Sequence, residues 1–121
     1  MITIGLIGCG LWGRAILREL LTLGVAVKVV DSGQKSEAGS QTGLHLHTPQ
    51  SVLHNQQSAI ENQKSKIAGH LNELSDVDGL IVATPSSTHR AVLEQVLPWQ
   101  LPTFVEKPLT VSLQDALHLR A

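Results

Sequence analysis

Three glycines stand at positions 8, 10 and 13, in the run Gly8-Cys9-Gly10-Leu11-Trp12-Gly13. A G-x-G-x-x-G spacing suits a turn whose backbone must approach an anion. In such a turn the first glycine permits the bend. The second lets the main chain come close to a pyrophosphate, and the third lets a following helix pack on the preceding strand. Free N–H groups at the helix start, backed by the helix dipole, then face the phosphates. No acidic residue occupies the expected first helical turn, and Arg14 adds a favourable charge there. Asp31 follows Gly13 by 18 residues. A carboxylate at that point can accept hydrogen bonds from both hydroxyls of an adenosine ribose, and it would repel a 2′-phosphate. Ser32 and Gly33 bring no cation to offset that repulsion. The pattern therefore favours NAD over NADP.

For this chemistry the glycines must follow a strand and open a helix. Ile2 to Ile7 is a short apolar run broken by glycine, which reads as a buried strand. Arg14 to Leu23 is apolar nearly all round, with the stripe Arg14, Arg18, Thr22 as its one wet edge. That is a helix lying on a sheet, with Gly24 placed for a left-handed cap. Val25 to Val30 is a second strand, ending at Asp31. Ser32 to Thr48 has weak periodicity and reads as a loop, and Pro49 to Lys64 as a helix with proline in its first turn. Leu71 to Leu74 reads as a short helix, Gly79 to Ala83 as a strand, Thr84 to Ser87 as a turn, and Thr88 to Leu97 as a helix closed by Pro98. Pro102 to Glu106 is a further short strand. Ser112 and Asp115 form a capping box opening a last helix from Leu113 to Ala121, whereas the same pattern at Ser75 and Asp78 precedes a strand and caps nothing. Strands alternating with helices argue for a parallel sheet covered on both faces.

The 121 residues make one domain, 1–121, with 42% hydrophobic residues and a formal net charge of -1. A chain of this size buries roughly two thirds of its unfolded surface, enough for one ordinary core. Nine Lys and Arg against ten Asp and Glu give no basic surface for a phosphate backbone. With Trp12, Trp99 and Phe104 as the only aromatic residues, no stacking platform for single-stranded nucleic acid is available. One cysteine excludes an internal disulfide. Cys9 reads as a small buried filler rather than a nucleophile, and the Trp12 indole as packing or a loop anchor rather than a stacking partner for the cofactor. No apolar run approaches a membrane span, the N-terminus lacks a signal-peptide pattern, and a reducing cytoplasm is the expected compartment. His45, His47, His54 and His70 have no metal-ligand spacing.

The second half carries a more specific pattern. Asp76-Val77-Asp78-Gly79-Leu80-Ile81-Val82-Ala83-Thr84-Pro85 is followed by Ser86-Ser87-Thr88-His89, and later by Val105-Glu106-Lys107-Pro108-Leu109. Together these segments resemble the Gfo/Idh/MocA family, the glucose–fructose oxidoreductase and inositol dehydrogenase group, over nearly the whole chain except Ser32 to about Lys66. The resemblance implies an α/β Rossmann-type doubly wound parallel sheet of order 3-2-1-4-5. It implies that Gly8, Gly10 and Gly13, with the backbone of Leu11 and Trp12, hold the pyrophosphate. Asp31 would hold the adenosine ribose, and Thr84 and Pro85 would line the cofactor cleft. His89 matches the family's histidine and would stand near the cofactor's ribose. Where the family often has Asn, this chain has Ser86. Glu106 and Lys107 would face the nicotinamide. Lys107 matches the lysine that orients the substrate's hydroxyl and stabilises its charge during hydride transfer. That role agrees with elementary chemistry: a cation at the carboxyl end of a strand, beside a switch-point crevice, stabilises a developing alkoxide. Pro108 biases the backbone of Lys107 towards extended geometry.

Such enzymes continue into a second α/β domain that supplies most of the substrate pocket, and nothing in this sequence corresponds to it. Three readings follow. The chain is the cofactor domain of an NAD-dependent oxidoreductase acting on the CH–OH group of a sugar or cyclitol, inactive by itself; or a stand-alone NAD-binding regulatory or redox-sensing module; or an interaction protein that has lost its ligand. The complete phosphate turn, Asp31 and Lys107 speak against the third. An unpaired sheet edge and an uncovered apolar face predict self-association as a homodimer.

Overall fold

Runs of four or five residues rich in isoleucine, valine and leucine, too short for buried helices, become the three central strands. The computed structural model describes residues 1–31, 45–47 and 71–120. In chain order the elements are β1 (Thr3–Ile7), α1 (Leu11–Thr22), β2 (Ala26–Val30), β3 (His45–His47), β4 (Gly79–Val82), α2 (His89–Val96), β5 (Thr103–Val105) and α3 (Leu113–Arg120). Single 3₁₀ turns at Leu71–Leu74, Ser86–Thr88 and Leu97–Trp99 join them. Gly24 takes φ +79° beyond the end of α1, the left-handed cap its position predicts.

The five strands form one sheet of order β3-β2-β1-β4-β5, the order expected. Four of them, β2-β1-β4-β5, run parallel, with Ile4 opposite Val27 on one side and Gly79 on the other, and Ile81 opposite Phe104. The fifth differs from expectation. β3 lies inside the stretch read as a loop, and it pairs antiparallel to β2, Val29 facing His45. An edge strand pairs on one side only, so the parallel core does not dictate its direction, and an antiparallel edge on a parallel sheet is common. The helix expected over Pro49 to Lys64 lies outside the described residues. α1 begins at Leu11, earlier than the apolar stripe suggests, because Gly13 belongs to its first turn.

Alternation along the strands divides the core into two layers. On one face Leu6, Val27 and Val29 pack with Cys9 against Leu17 of α1. On the other, Ile7, Val30, Leu80 and Val82 pack against Val92, Leu93 and Val96 of α2 and against Leu71 and Leu74. α3 leans on α2 through Arg90 Nη1, 2.6 Å from Asp115 Oδ1, and through His118 Nε2, 3.0 Å from Glu94 Oε1. Its start is capped as predicted, Asp115 N donating to Ser112 Oγ at 3.1 Å. At the amino end of the sheet Asp78 caps no helix; its Oδ2 accepts from Thr3 N at 2.7 Å. Lys28 of β2 reaches Asp76 at 2.8 Å in the same region. No helix among the described residues is long and apolar enough to cross a membrane.

The consequence for the site lies at the other end. Parallel strands bring their carboxyl ends to one rim, so Gly8, Asp31, Ala83-Thr84 and Glu106 leave β1, β2, β4 and β5 side by side. The strand order reverses between β1 and β4, where ligand crevices form in open α/β sheets.

Candidate functional site

The turn after β1 is built by close backbone contacts. Gly8 has φ +95°, a conformation side chains oppose, and a Cβ there would stand 2.7 Å from the Ala83 carbonyl. Gly8 N donates to Val30 O at 2.8 Å, while Ala83 N donates to Ile7 O at 2.7 Å, so the turn is pinned between β2 and β4. A Cβ on Gly13 would fall on the Gly8 carbonyl oxygen; its absence lets α1 start directly on the turn. Gly10 is the contrast. Among the described residues, its chain neighbours aside, nothing lies within 4 Å of the position its Cβ would take, and its φ of -72° suits any residue. No contact among the described residues requires a glycine there, and the space it leaves fits a ligand that must approach the main chain.

The electrostatics of this turn suit an anion. Among the described residues no side chain caps α1, and its first turn carries no acid, which suits its leading N–H groups to oxygens from outside the helix. Arg14 Nε is shielded from solvent and has no hydrogen-bond partner among the described residues. A buried donor without a partner is costly unless something accepts from it. The residues present thus fit a diphosphate. Asp31 follows at the end of β2, half-buried.

Cys9 lies under the turn, buried. Burial first, and the Asp31 carboxylate second, push its thiol up to about 11, with Arg14 acting against them. This agrees with the filler reading. At pH 8 only about one thiol in a thousand is thiolate at such a value. Iodoacetamide should leave Cys9 unmodified in the folded protein over hours and modify it within minutes in denaturant; rapid native labelling, read by mass spectrometry, would contradict the assignment. Trp12 is 69% exposed, and Leu11 more so, so the indole is not core packing; the first turn of α1 buries Gly13 instead.

Across the crevice, Thr84 ends β4 and is buried, with exposed Pro85 leading into the 3₁₀ turn. Thr88 Oγ1 donates to Pro85 O at 2.7 Å and, its one proton thus used, accepts from Thr84 Oγ1 at 2.8 Å. Sequence reading missed Thr88, although the spacing Thr84-x-x-x-Thr88 offered a signal. Glu106 N donates to Val82 O at 2.9 Å, fixing the exit of β5 beside β4. Lys107 comes next, exposed to solvent. His89 lies elsewhere than a ligand-facing position suggests. Its ring is 1% exposed, with Nδ1 2.9 Å from Pro108 O and 3.0 Å from Leu109 O, and Nε2 2.9 Å from Thr84 O. The rim thus gathers Gly8, Gly10, Leu11, Trp12, Gly13, Asp31, Thr84, Pro85, Glu106 and Lys107, with His89 beneath it. Among the described residues no three His, Cys, Asp or Glu side chains converge to hold a metal ion.

A family model described as "Oxidoreductase family, NAD-binding Rossmann fold" matches residues 2–121. The rhizopine catabolism protein MocA of Rhizobium meliloti is 39% identical over 49 residues, 40% of this chain and 16% of that protein. A Gfo/Idh/MocA family oxidoreductase from Vibrio cholerae has a similar fold, with TM-score 0.66 and 18% identity over 99% of this chain and 34% of its own. The myo-inositol dehydrogenase of Lactobacillus casei, solved in complex with NAD(H) and myo-inositol, has TM-score 0.65 and 22% identity over 99% of this chain and 32% of its own. The chain thus spans about a third of the length of these solved structures.

Proposed function

The chain belongs to the Gfo/Idh/MocA oxidoreductase family through its NAD-binding Rossmann domain, and from that we propose that it is the coenzyme-binding part of an NAD-dependent, cytoplasmic oxidoreductase acting on the CH–OH group of a sugar, a cyclitol or a related small molecule. The observation that carries this reading is the empty approach to Gly10 in front of an uncapped helix start. The Lactobacillus casei neighbour, with its NAD(H) and myo-inositol, supports the substrate class. A bound nicotinamide supplies hydride transfer at its C4. The chain's own residues do the rest. Gly8, Gly10 and Gly13, with the N–H groups of Leu11 and Trp12, hold the pyrophosphate, and Asp31 holds the adenosine ribose. Thr84 and Pro85 wall the cleft at β4, with Glu106 and Lys107 at β5. The Lys107 ammonium orients the substrate's hydroxyl and offsets the charge that develops on its oxygen.

Titration of the protein with NADH and NADPH, followed by coenzyme fluorescence, tests the proposal. Saturable NADH binding in the micromolar to millimolar range is expected, with NADPH weaker; binding of neither overturns it. Asp31→Ala should weaken NADH by about tenfold, the loss of one or two hydrogen bonds to a charged group, and NADPH by less. Equal losses would remove Asp31 from the ribose.

We also propose that the isolated chain dimerises. α1 covers the β1–β2 half of its face, while Ile2 (61% exposed) and Phe104 (59% exposed) flank an open groove of about 690 Å³ with Ile4 and Ile81 over the β4–β5 half. Sedimentation velocity should show a concentration-dependent dimer, and a clean monomer at high concentration would refute it.

A further inference from the structure

We infer that His89 is a positioning residue for Lys107: its ring ties the loop that carries Lys107 to the end of β4, and so sets where the ammonium stands over the coenzyme cleft. The inference rests on the coenzyme reading above for what Lys107 faces; the tether itself rests on geometry. The imidazole is among the few polar side chains wholly buried among the described residues. Among the described residues both its nitrogens face carbonyl oxygens: Pro108 and Leu109 on one side, Thr84 on the other. Carbonyl oxygens only accept, so a proton on Nδ1 is what joins the ring to the loop. These carbonyls belong to two chain segments that follow neighbouring strands, β4 and β5. A leucine or phenylalanine would fill the same volume but bring no N–H to the Pro108 and Leu109 carbonyls.

The ring's base is rigid. His89 is the first residue of α2, and Val92, Leu93 and Val96 of that helix are buried against the sheet. The loop is held at its start by Glu106 N on Val82 O and at its end by Asp115 on Arg90. Between these points Lys107 is exposed, and the next two carbonyls are those the His89 ring holds. Lys107 carries a long flexible side chain, so the placing of its ammonium depends on the placing of its backbone. A lysine on an untethered loop would spread over many positions. Useful electrostatic stabilisation needs the charge fixed before the reaction.

The two halves of the ring can be tested separately. In His89→Asn the amide nitrogen superposes on Nδ1 and keeps the bonds to Pro108 and Leu109. In His89→Gln it superposes on Nε2 and keeps Thr84 alone. NADH and ADP-ribose distinguish a local effect from a general one, because ADP-ribose lacks the nicotinamide that the loop faces. The expected result is that His89→Gln weakens NADH by about tenfold, one hydrogen bond's worth, and ADP-ribose by less than about twofold, while His89→Asn keeps the wild-type ratio of the two. A merely structural histidine would lower both ligands together, or neither, in both variants, and either result overturns the inference. Failure of the wild type to bind either ligand is a different result, and sinks the coenzyme reading itself. Should the variants not fold, wild-type protein labelled with ¹⁵N-histidine decides. A proton on Nδ1 that shifts with NADH but not with ADP-ribose is expected, and a bare Nδ1, or the same response to both ligands, overturns it.

Discussion

Gly10→Ala should leave the fold standing and remove most of the coenzyme affinity, by about a hundredfold. Among the described residues, its chain neighbours aside, no atom lies within 4 Å of the new methyl group, and the backbone there is extended. Losing a glycine narrows the unfolded ensemble, which stabilises by about 0.4–1 kcal/mol, while alanine is the poorer residue before a helix by a comparable amount. The two effects offset, and stability in urea should move by less than about 1 kcal/mol. A bound pyrophosphate has no such freedom. It approaches the main chain at Gly10, and a methyl group there pushes its oxygens off the N–H groups of α1. Each charge-assisted bond lost costs about 1.5–3 kcal/mol. The measurement is a paired one, NADH titration beside chemical denaturation. Unchanged affinity at unchanged stability would mean that the open space at Gly10 serves no ligand.

Gly13→Ala should do the opposite kind of damage. Its methyl group would fall on the Gly8 carbonyl oxygen, a backbone atom that cannot turn aside as a side chain can. Gly8 cannot retreat either, since its amide is bonded to Val30 and its Cα lies against the Ala83 carbonyl. The start of α1 must therefore lift from the turn and loosen Leu17 from Leu6 and Val29. Overpacking of this sort costs about 2–3 kcal/mol, a fall in Tm of about 10 °C for a domain of this size. Coenzyme binding should be lost along with it. A calorimetric Tm within about 2 °C of wild type would show that α1 does not rest on Gly8.

The contrast between these two glycines also marks how far the sequence could be read. Spacing alone assigned one glycine to the ligand and another to the strand–helix contact, because each role follows from a missing Cβ. Three of the four parallel strands, β1, β2 and β4, were legible for a similar reason: largely buried strands leave short runs rich in Val, Ile and Leu, whereas β5, Thr103–Val105, was marked by the prolines and the Glu-Lys-Pro segment around it. The His45–His47 strand was not. Three residues on an edge need neither apolar alternation nor turn residues around them, and their direction is set by pairing with β2. Nor was the burial of His89. A histidine two residues after a Pro-Ser-Ser turn reads equally well as facing a ligand, and only the fold brings the Pro108 and Leu109 carbonyls, nineteen and twenty residues away, onto its ring. The exposure of Trp12 was hidden by its chemistry, since a bulky apolar residue suggests a core until the rim it stands on is known. The Glu-Lys-Pro segment was legible through resemblance alone; composition gives no hint that Lys107 differs from any other surface lysine.

The bond from Thr3 to Asp78 and the Lys28–Asp76 pair secure the strands at the rim opposite the glycine turn. Neither pair belongs to the proposed coenzyme turn, so a substitution at Lys28 or Asp76 reaches the ligand only through the strands between. At the opposite rim a single residue, Gly13, serves both the seating of α1 and the phosphate turn. Firmness and chemistry are therefore inseparable at the glycine turn and separable at the far rim, which is where a designer can alter one without the other.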